Sequence, residues 1–396
     1  MRLAASLPTV VFLLSRGASG QEVLVHSLED YVSFVALLTT LYVIASGLVL
    51  EGGFRGTPLS NLRLLAIGSV LASLVGTMGA SVILVRPLLR ANSWRRHRTH
   101  QVVFFILLVS NVGGLLTALG DPPLFLGFLR GVPFSWTLKT LWTHWIFSVG
   151  ALLATFLLWD RFFFARENAA HVPDQTSPLK VQGIMSFFFL ALVVLSILSR
   201  RAGPLSDLPF GWHELILGLI TAAAWATSTR EIRALNGFSW GPAREVAILF
   251  LGLFLTMSAP LILLNSRSGD LGIREPWHFF WATGLLSSWL DNAPTYLSFA
   301  SAAAGQVQVD AGQRLFLAQL LEQGEPGPSL LRAVSCGAVL MGAFTYIGNA
   351  PNLIVKLIAE RDGVQMPSFL GYIRWTAVVL IPLFLAMSWM FMRGAP

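Results

Sequence analysis

Thr117-Ala-Leu-Gly120-Asp121-Pro122-Pro123 and Thr345-Tyr-Ile-Gly348-Asn349-Ala350-Pro351 are two copies of one pattern, T-x-x-G-[D/N]-x-P, set 228 residues apart. Apolar residues flank both copies. Gly and Pro break a helix, one by backbone entropy and the other by removing a donor. A helix broken inside a bilayer leaves bare N–H and C=O groups, which are tolerated only against protein or a watery cavity. Two such breaks at corresponding points of two halves mark the binding site of a secondary transporter.

Composition sets the frame around these breaks. The 396 residues are 55% hydrophobic and only 12% charged, with a mean hydropathy of +0.67. A soluble domain carries about 25% charge. The apolar segments run to about 18–28 residues, the length a helix needs to cross about 30 Å of hydrocarbon, and the short alternating segments of a transmembrane barrel are absent. The fold class expected is an all-α polytopic protein of the bilayer. The net charge of +7 comes from basic residues in the loops; that pattern orients helices in a membrane and does not call for nucleic acid. The single cysteine, Cys336, excludes an intrachain disulfide and a Cys metal cluster, and reads as a small buried residue. The 13 Trp lie mostly near segment ends, as interface anchors do.

The segments repeat in order. A short first membrane segment covers about 3–15 and is preferred to a signal peptide, because Arg2 is a lone cation and Pro8 interrupts the run. A helix follows over about Tyr31–Leu50. Residues 63–89 are too long for one span and too short for two; the interruption Gly76-Thr77-Met78-Gly79 makes them a re-entrant hairpin, with Thr77, Gly79 and Ser81 at its tip. The first broken helix (101–130) and a plain span (139–164) complete this half. The second half has spans near 182–199, 211–228 and 243–265, then a hairpin over 277–304 interrupted at Asp291-Asn292-Ala293-Pro294-Thr295, the second broken helix (331–359) and a last span (369–392). The domains expected are a first repeat at 1–164, which lacks or shortens its opening helix, a cytoplasmic linker at 165–181, and a second repeat at 182–396. Arg55, Arg63, Arg86, Arg90, Arg95, Arg96 and Arg98 flank the first hairpin, whereas Arg267, Arg274 and Arg314 are outweighed by acids around the second. Basic loops stay in the cytoplasm. The repeats are therefore expected to be inverted, with the first hairpin entering from inside and the second from outside; Arg200 and Arg201 run against the rule.

Ionisable groups deep in apolar segments are costly and point to function. Glu29, Asp30, Asp160, Glu214 and Glu360 sit near segment ends and are expected to be solvated; His144, His213 and His278 are expected at the interface. Asp121, in the first break, and Asp291, at the second hairpin tip, have no such excuse. Around them lie Ser110, Asn111, Thr117, Ser287, Ser288, Asn292, Thr295, Thr345, Asn349 and Asn352. Hydroxyl, amide and carboxylate oxygens with freed carbonyls suit a hard cation. Burial disfavours the charged form of a carboxyl, so such a group can hold a proton or release it to take Na+. The competing expectation is that Asp121 and Asn349 simply cap the half-helices that follow them.

Three motifs carry a family resemblance: Ser110–Gly127, containing Asn111, Thr117 and Asp121; Ser288-Trp-Leu-Asp-Asn-Ala-Pro-Thr295-Tyr296; and Thr345-Tyr-Ile-Gly-Asn-Ala-Pro-Asn352. With Gly76–Ser81 and Arg86–Asn92, they resemble NhaD-type sodium/proton antiporters, nearest to the branch labelled citrate transporters within the ion transporter superfamily. The resemblance implies an inverted-repeat fold, a homodimer of scaffold and transport domains, a multi-pass protein of the bacterial inner membrane, and ion-coupled transport without a resident cofactor. The ion-site residues it implies are Asn111, Thr117, Asp121, Asp291, Asn292, Thr295, Thr345 and Asn349, with Asp121 and Asp291 on Na+. The function expected is Na+/H+ antiport. Na+- or H+-coupled uptake of citrate or another carboxylate is the alternative. Two carboxylates repel a bare anion, no Arg or Lys lies at either break to clamp one, and relatives that carry dicarboxylates use paired Ser-Asn-Thr triplets where this chain has Ser110-Asn111-Val112 with no matching partner; half-helix N-termini, however, bind anions without side-chain charge. A two-aspartate intramembrane protease is the remote alternative: Leu119-Gly120-Asp121 and Leu290-Asp291 lack the G-x-G-D and Y-D motifs of that chemistry.

Overall fold

A computed structural model describes residues 6–15, 17–52, 54–167, 180–202 and 208–393. The first half comprises α1 (Leu7–Ser15), α2 (Ala18–Ser46), β1 (Val49–Glu51), α3 (Pro58–Ala91), α4 (Thr99–Leu108), α5 (Pro122–Leu129) and α6 (Phe134–Phe164). The second comprises β2 (Lys180–Gln182), α7 (Met185–Ala202), α8 (Trp212–Thr227), α9 (Arg230–Leu235), α10 (Gly241–Ser266), α11 (Pro276–Trp289), α12 (Asn292–Gln306), α13 (Phe316–Glu322), α14 (Gly327–Met341), α15 (Ala350–Arg361) and α16 (Phe369–Phe391). Among the described residues six helices are long and apolar enough to cross a bilayer, or seven if the bent α10 is one span. The chain is an all-α polytopic membrane protein. Most of the expected linker, with Pro173 and Pro178, lies outside the described residues. Its end is not a loop: Lys180–Gln182 pairs antiparallel with Val49–Glu51, Val49 opposite Gln182. Three residues are too few for a legible alternation.

Both expected hairpins form. Thr57 opens α3 as its N-cap, its hydroxyl accepting from the Ser60 N–H, with Pro58 in the first turn. The helix breaks at Gly76, whose φ of 83° is open to glycine at little cost. Residues beyond the break return along the first half: a Cβ at Gly68 would touch Leu84 and Val109. Sixteen residues of straight helix would hold 68 and 84 about 24 Å apart. In the second hairpin α11 ends at Trp289, Leu290 and Asp291 leave helical geometry, and α12 packs back on α11.

Both broken helices form too. α4 is followed by a 3-10 turn (Val112–Leu116), an extended Thr117, and α5. α14 is followed by a 3-10 turn (Gly342–Phe344), an extended Thr345, and α15. Beyond Thr99, every residue of α4 is buried. That explains why it is apolar all round, since its neighbours are protein on every side.

Packing relates the halves. α2 precedes the first hairpin and packs on it, α10 does the same for the second, and α2 and α10 pack on each other. α8 lies on α2, and α1 lies on α10. α1 thus stands where α8 stands in the other half, at nine residues against sixteen.

Candidate functional site

The two breaks meet. At each, the threonine hydroxyl does the same work. Thr117 Oγ1 donates to the Ser73 carbonyl of the first hairpin and accepts from the Leu119 N–H; Thr345 Oγ1 donates to the Ser288 carbonyl of the second and accepts from the Ile347 N–H, both acceptances at 3.2 Å. Each threonine satisfies a carbonyl that the hairpin exposes near its tip. Gly120 lies on the Gly114 backbone and Gly348 on that of Gly342, so a side chain at either later glycine would strike a carbonyl.

Asp121 occupies the N-cap position of α5 but its side chain caps nothing. Its carboxylate turns inward and is 2% exposed. Oδ1 accepts from Thr77 Oγ1 at 2.8 Å and from Asn349 Nδ2 at 3.0 Å; Oδ2 accepts from Asn292 Nδ2. The first hairpin, the second hairpin and the second break therefore each send one donor to the carboxylate of the first break. Asn349, at the same position of α15, also leaves its cap unmade; beyond Asp121 it donates to the Ser110 carbonyl. The capping expectation is corrected for both residues. Asp291 does cap: its Oδ1 accepts from the Ala293 N–H at 3.1 Å.

Asp291 and Asp121 line one cleft, together with Gly76, Thr77 and Asn349 at the breaks and Thr39, Tyr42, Val246 and Phe250 from α2 and α10. Asp291 is half-buried, with one hydrogen bond. Four helix N-termini converge here: α5, α15, α12 and the half of α3 after Gly76. Their partial positive charge favours negative charge on Asp121, which sits among them. Asn292, whose Nδ2 donates to Asp121, leaves its Oδ1 buried and unpartnered, an acceptor that a cation or a protonated acid would satisfy.

The remaining expected site residues are nearby but spoken for. Asn111 donates to Asn352 Oδ1 at 2.7 Å and to the Ile106 carbonyl, tying the two broken helices together. Thr295 Oγ1 donates to the Asp291 carbonyl one turn back in α12. Ser81 bonds Ser110 at 2.8 Å, and Gly79 admits Ala45 of α2 close to the hairpin. Ser73, for which the sequence offers no signal, accepts from Thr117 through its carbonyl, and Asn352, expected among the polar residues around the acids, donates to the Gly342 and Thr345 carbonyls.

Two expectations about other polar residues are corrected. Asp160 is fully buried: Arg95 Nη2 lies 2.6 Å and His100 Nε2 2.8 Å from its Oδ1, and Asn61 donates to Oδ2. Asp30 is 2% exposed and faces Arg130 and Arg314. His144 is buried against Phe391. Position near a segment end does not ensure solvent when neighbouring helices extend past it.

Residues 2–392 match the family described as "Putative citrate transport". Two curated proteins, uncharacterized transporters of Mycobacterium bovis and Mycobacterium tuberculosis, are each 24% identical over 354 residues, covering 82% of this chain and 75% of the relative. The chain belongs to the family described as "Putative citrate transport" and is a membrane transporter, not an enzyme.

Proposed function

We propose that this transporter couples movement of its cargo to a cation, H+ or Na+, taken up at Asp121 and Asp291. The observation that carries this reading is the charge of the cleft: two carboxylates line it, and its described lining holds no Lys or Arg. An ion-coupled carrier needs a group that binds either of two species but not both. A carboxylate in low dielectric does so, holding a proton or giving it up to a metal ion. The halves act as inverted repeats, 1–164 and 182–396, around this pair. In support, Asp121 bonds the residue 228 positions on, its own counterpart.

The cargo has two readings. Na+/H+ antiport makes the cation itself the cargo and needs nothing beyond the two acids. The family description favours a carboxylate such as citrate. The acids admit it when protons or a bound divalent metal offset its charge, and the converging helix N-termini add attraction.

Reconstituted vesicles with a trapped pH dye separate these. Antiport predicts proton movement on adding Na+ or Li+ without citrate. Citrate transport predicts accumulation of labelled citrate, alone or with Mg2+, and no response to Na+ alone. Undiminished transport in both Asp121→Asn and Asp291→Asn would overturn the shared claim.

A further inference from the structure

A second cavity lies one turn of α5 beyond the cleft of Asp121, and a layer of aromatic rings stands between them. Phe125 lines the cleft. Phe128, one turn on in α5, lines the second cavity with Asp30, Arg200, His213, Glu214 and Arg314. The two rings stack at 5.9 Å. Phe34 of α2 closes the layer, 5.9 Å from Phe125, 4.3 Å from Phe250 and 5.8 Å from Phe254, and is itself fully buried.

Charges brace this layer on its far side. Arg130 Nη2 lies 3.1 Å from Asp30 Oδ2, Arg314 Nη1 lies 3.1 Å from Glu29 Oε2, and Arg314 Nη2 lies 4.0 Å from Asp30 Oδ1. Asp30 Oδ2 has no hydrogen bond of good geometry, so the Arg130 contact is an ion pair off the bonding direction. Glu29 and Asp30 belong to α2, which packs with α7, α8 and α10 and meets the first hairpin and α5 along its other side. Arg130 ends α5, and Arg314 precedes α13; these pack with the hairpins and broken helices. Among the described residues, the ion pairs between these two bodies are these three, and all lie at the end away from the open cleft.

We propose that Phe34, Phe125 and Phe128, latched by Glu29 and Asp30 against Arg130 and Arg314, are the closed gate of the transport path, and that both cavities are its ends. The second cavity is then the vestibule of the opposite membrane face, and opening it requires breaking the latch as α5 moves from α2. Arg314 is partly exposed and the Arg130–Asp30 pair lies off the bonding direction, so this set separates more readily than the fully bonded, fully buried set around Asp160. The proposal rests on alternating access by a transporter, not on the identity of its cargo.

Side-specific thiol labelling tests it without any cargo. In a Cys336→Ala background, Thr39→Cys reports the cleft and Leu129→Cys the second cavity. Membrane vesicles of each orientation receive an impermeant thiol reagent. Thr39→Cys should react from one face and Leu129→Cys from the other. Glu29→Gln with Asp30→Asn should speed labelling of Thr39→Cys from the Leu129 face by about fivefold or more. If that pair of substitutions prevents folding, Arg314→Gln, at a partly exposed side chain, removes two of the three pairs and carries the same readout. Labelling of both cysteines from one face, or labelling indifferent to the latch substitutions, would overturn the proposal. Loss of transport with this labelling pattern intact would instead count against the cargo readings above.

Discussion

The two aspartates divide the work that the sequence assigned to both. Asp121 is enclosed and takes donors from Thr77, Asn292 and Asn349; Asp291 faces the cleft and caps its helix. The donors of Asp121 come from 44, 171 and 228 residues away, so no local pattern could show that its side chain turns away from the cap. Removing one donor from a buried carboxylate should cost about 1–3 kcal/mol. Thr77→Ala should therefore lower the thermal midpoint in detergent clearly more than Thr295→Ala, whose hydroxyl bonds only its own helix; equal shifts would show that Thr77 does not serve Asp121. Asp160→Asn should be harsher, about 3–5 kcal/mol, because it leaves Arg95 buried without its partner. Its loss is expected in folded yield, read by size-exclusion chromatography, and not in ion preference.

At the scale of elements, the breaks, hairpins and spans were legible because Gly and Pro interrupt long apolar runs at matching places. Their ends were less so: the helix expected from about 31 begins at Ala18, since Glu22, Glu29 and Asp30 look like loop residues until their partners are seen. Gly76 makes the first hairpin turn. A Cβ there would meet nothing closer than 3.4 Å, so Gly76→Ala tests backbone conformation alone. It should cost about 1–3 kcal/mol, because φ 83° with ψ 152° is open essentially to glycine alone. Gly76→Asn should cost as much, since asparagine's tolerance of positive φ belongs to ψ of about 45° and not to the 152° found here; an unchanged midpoint in both variants would argue against conformational strain.

The loop joining α3 to α4 is held by Glu167, just past α6. Burial raises its pKa, but the His97 and Arg96 N–H groups and the His97 ring outweigh this and hold it below the ordinary glutamate value. A carboxyl with a depressed folded pKa stabilises the fold above its unfolded pKa and loses that contribution as pH falls through the folded one. The midpoint difference between wild type and Glu167→Gln should therefore be present at pH 7 and shrink as pH drops below the usual carboxylate range. A difference that is constant with pH would contradict the assignment.

For the whole molecule, α2 and α10 form the wall against which both hairpins and the first broken helix lie, and one cleft reaches the acids between them. This arrangement makes the acids' company come from both halves at once. The buried ion pairs of Asp30 and Asp160 were hidden from the sequence because their arginines lie in other segments, and hydropathy scores each charge alone. The most direct test of the coupling claim is proton movement driven by a cargo gradient in vesicles holding wild type, Asp121→Asn, Asp291→Asn or, as a control for damaged folding, Asp160→Asn. Coupled proton flux per folded molecule should fall to that of empty vesicles in the first two variants and persist in Asp160→Asn. Flux that survives in Asp121→Asn and Asp291→Asn at the wild-type level per folded molecule would contradict the account.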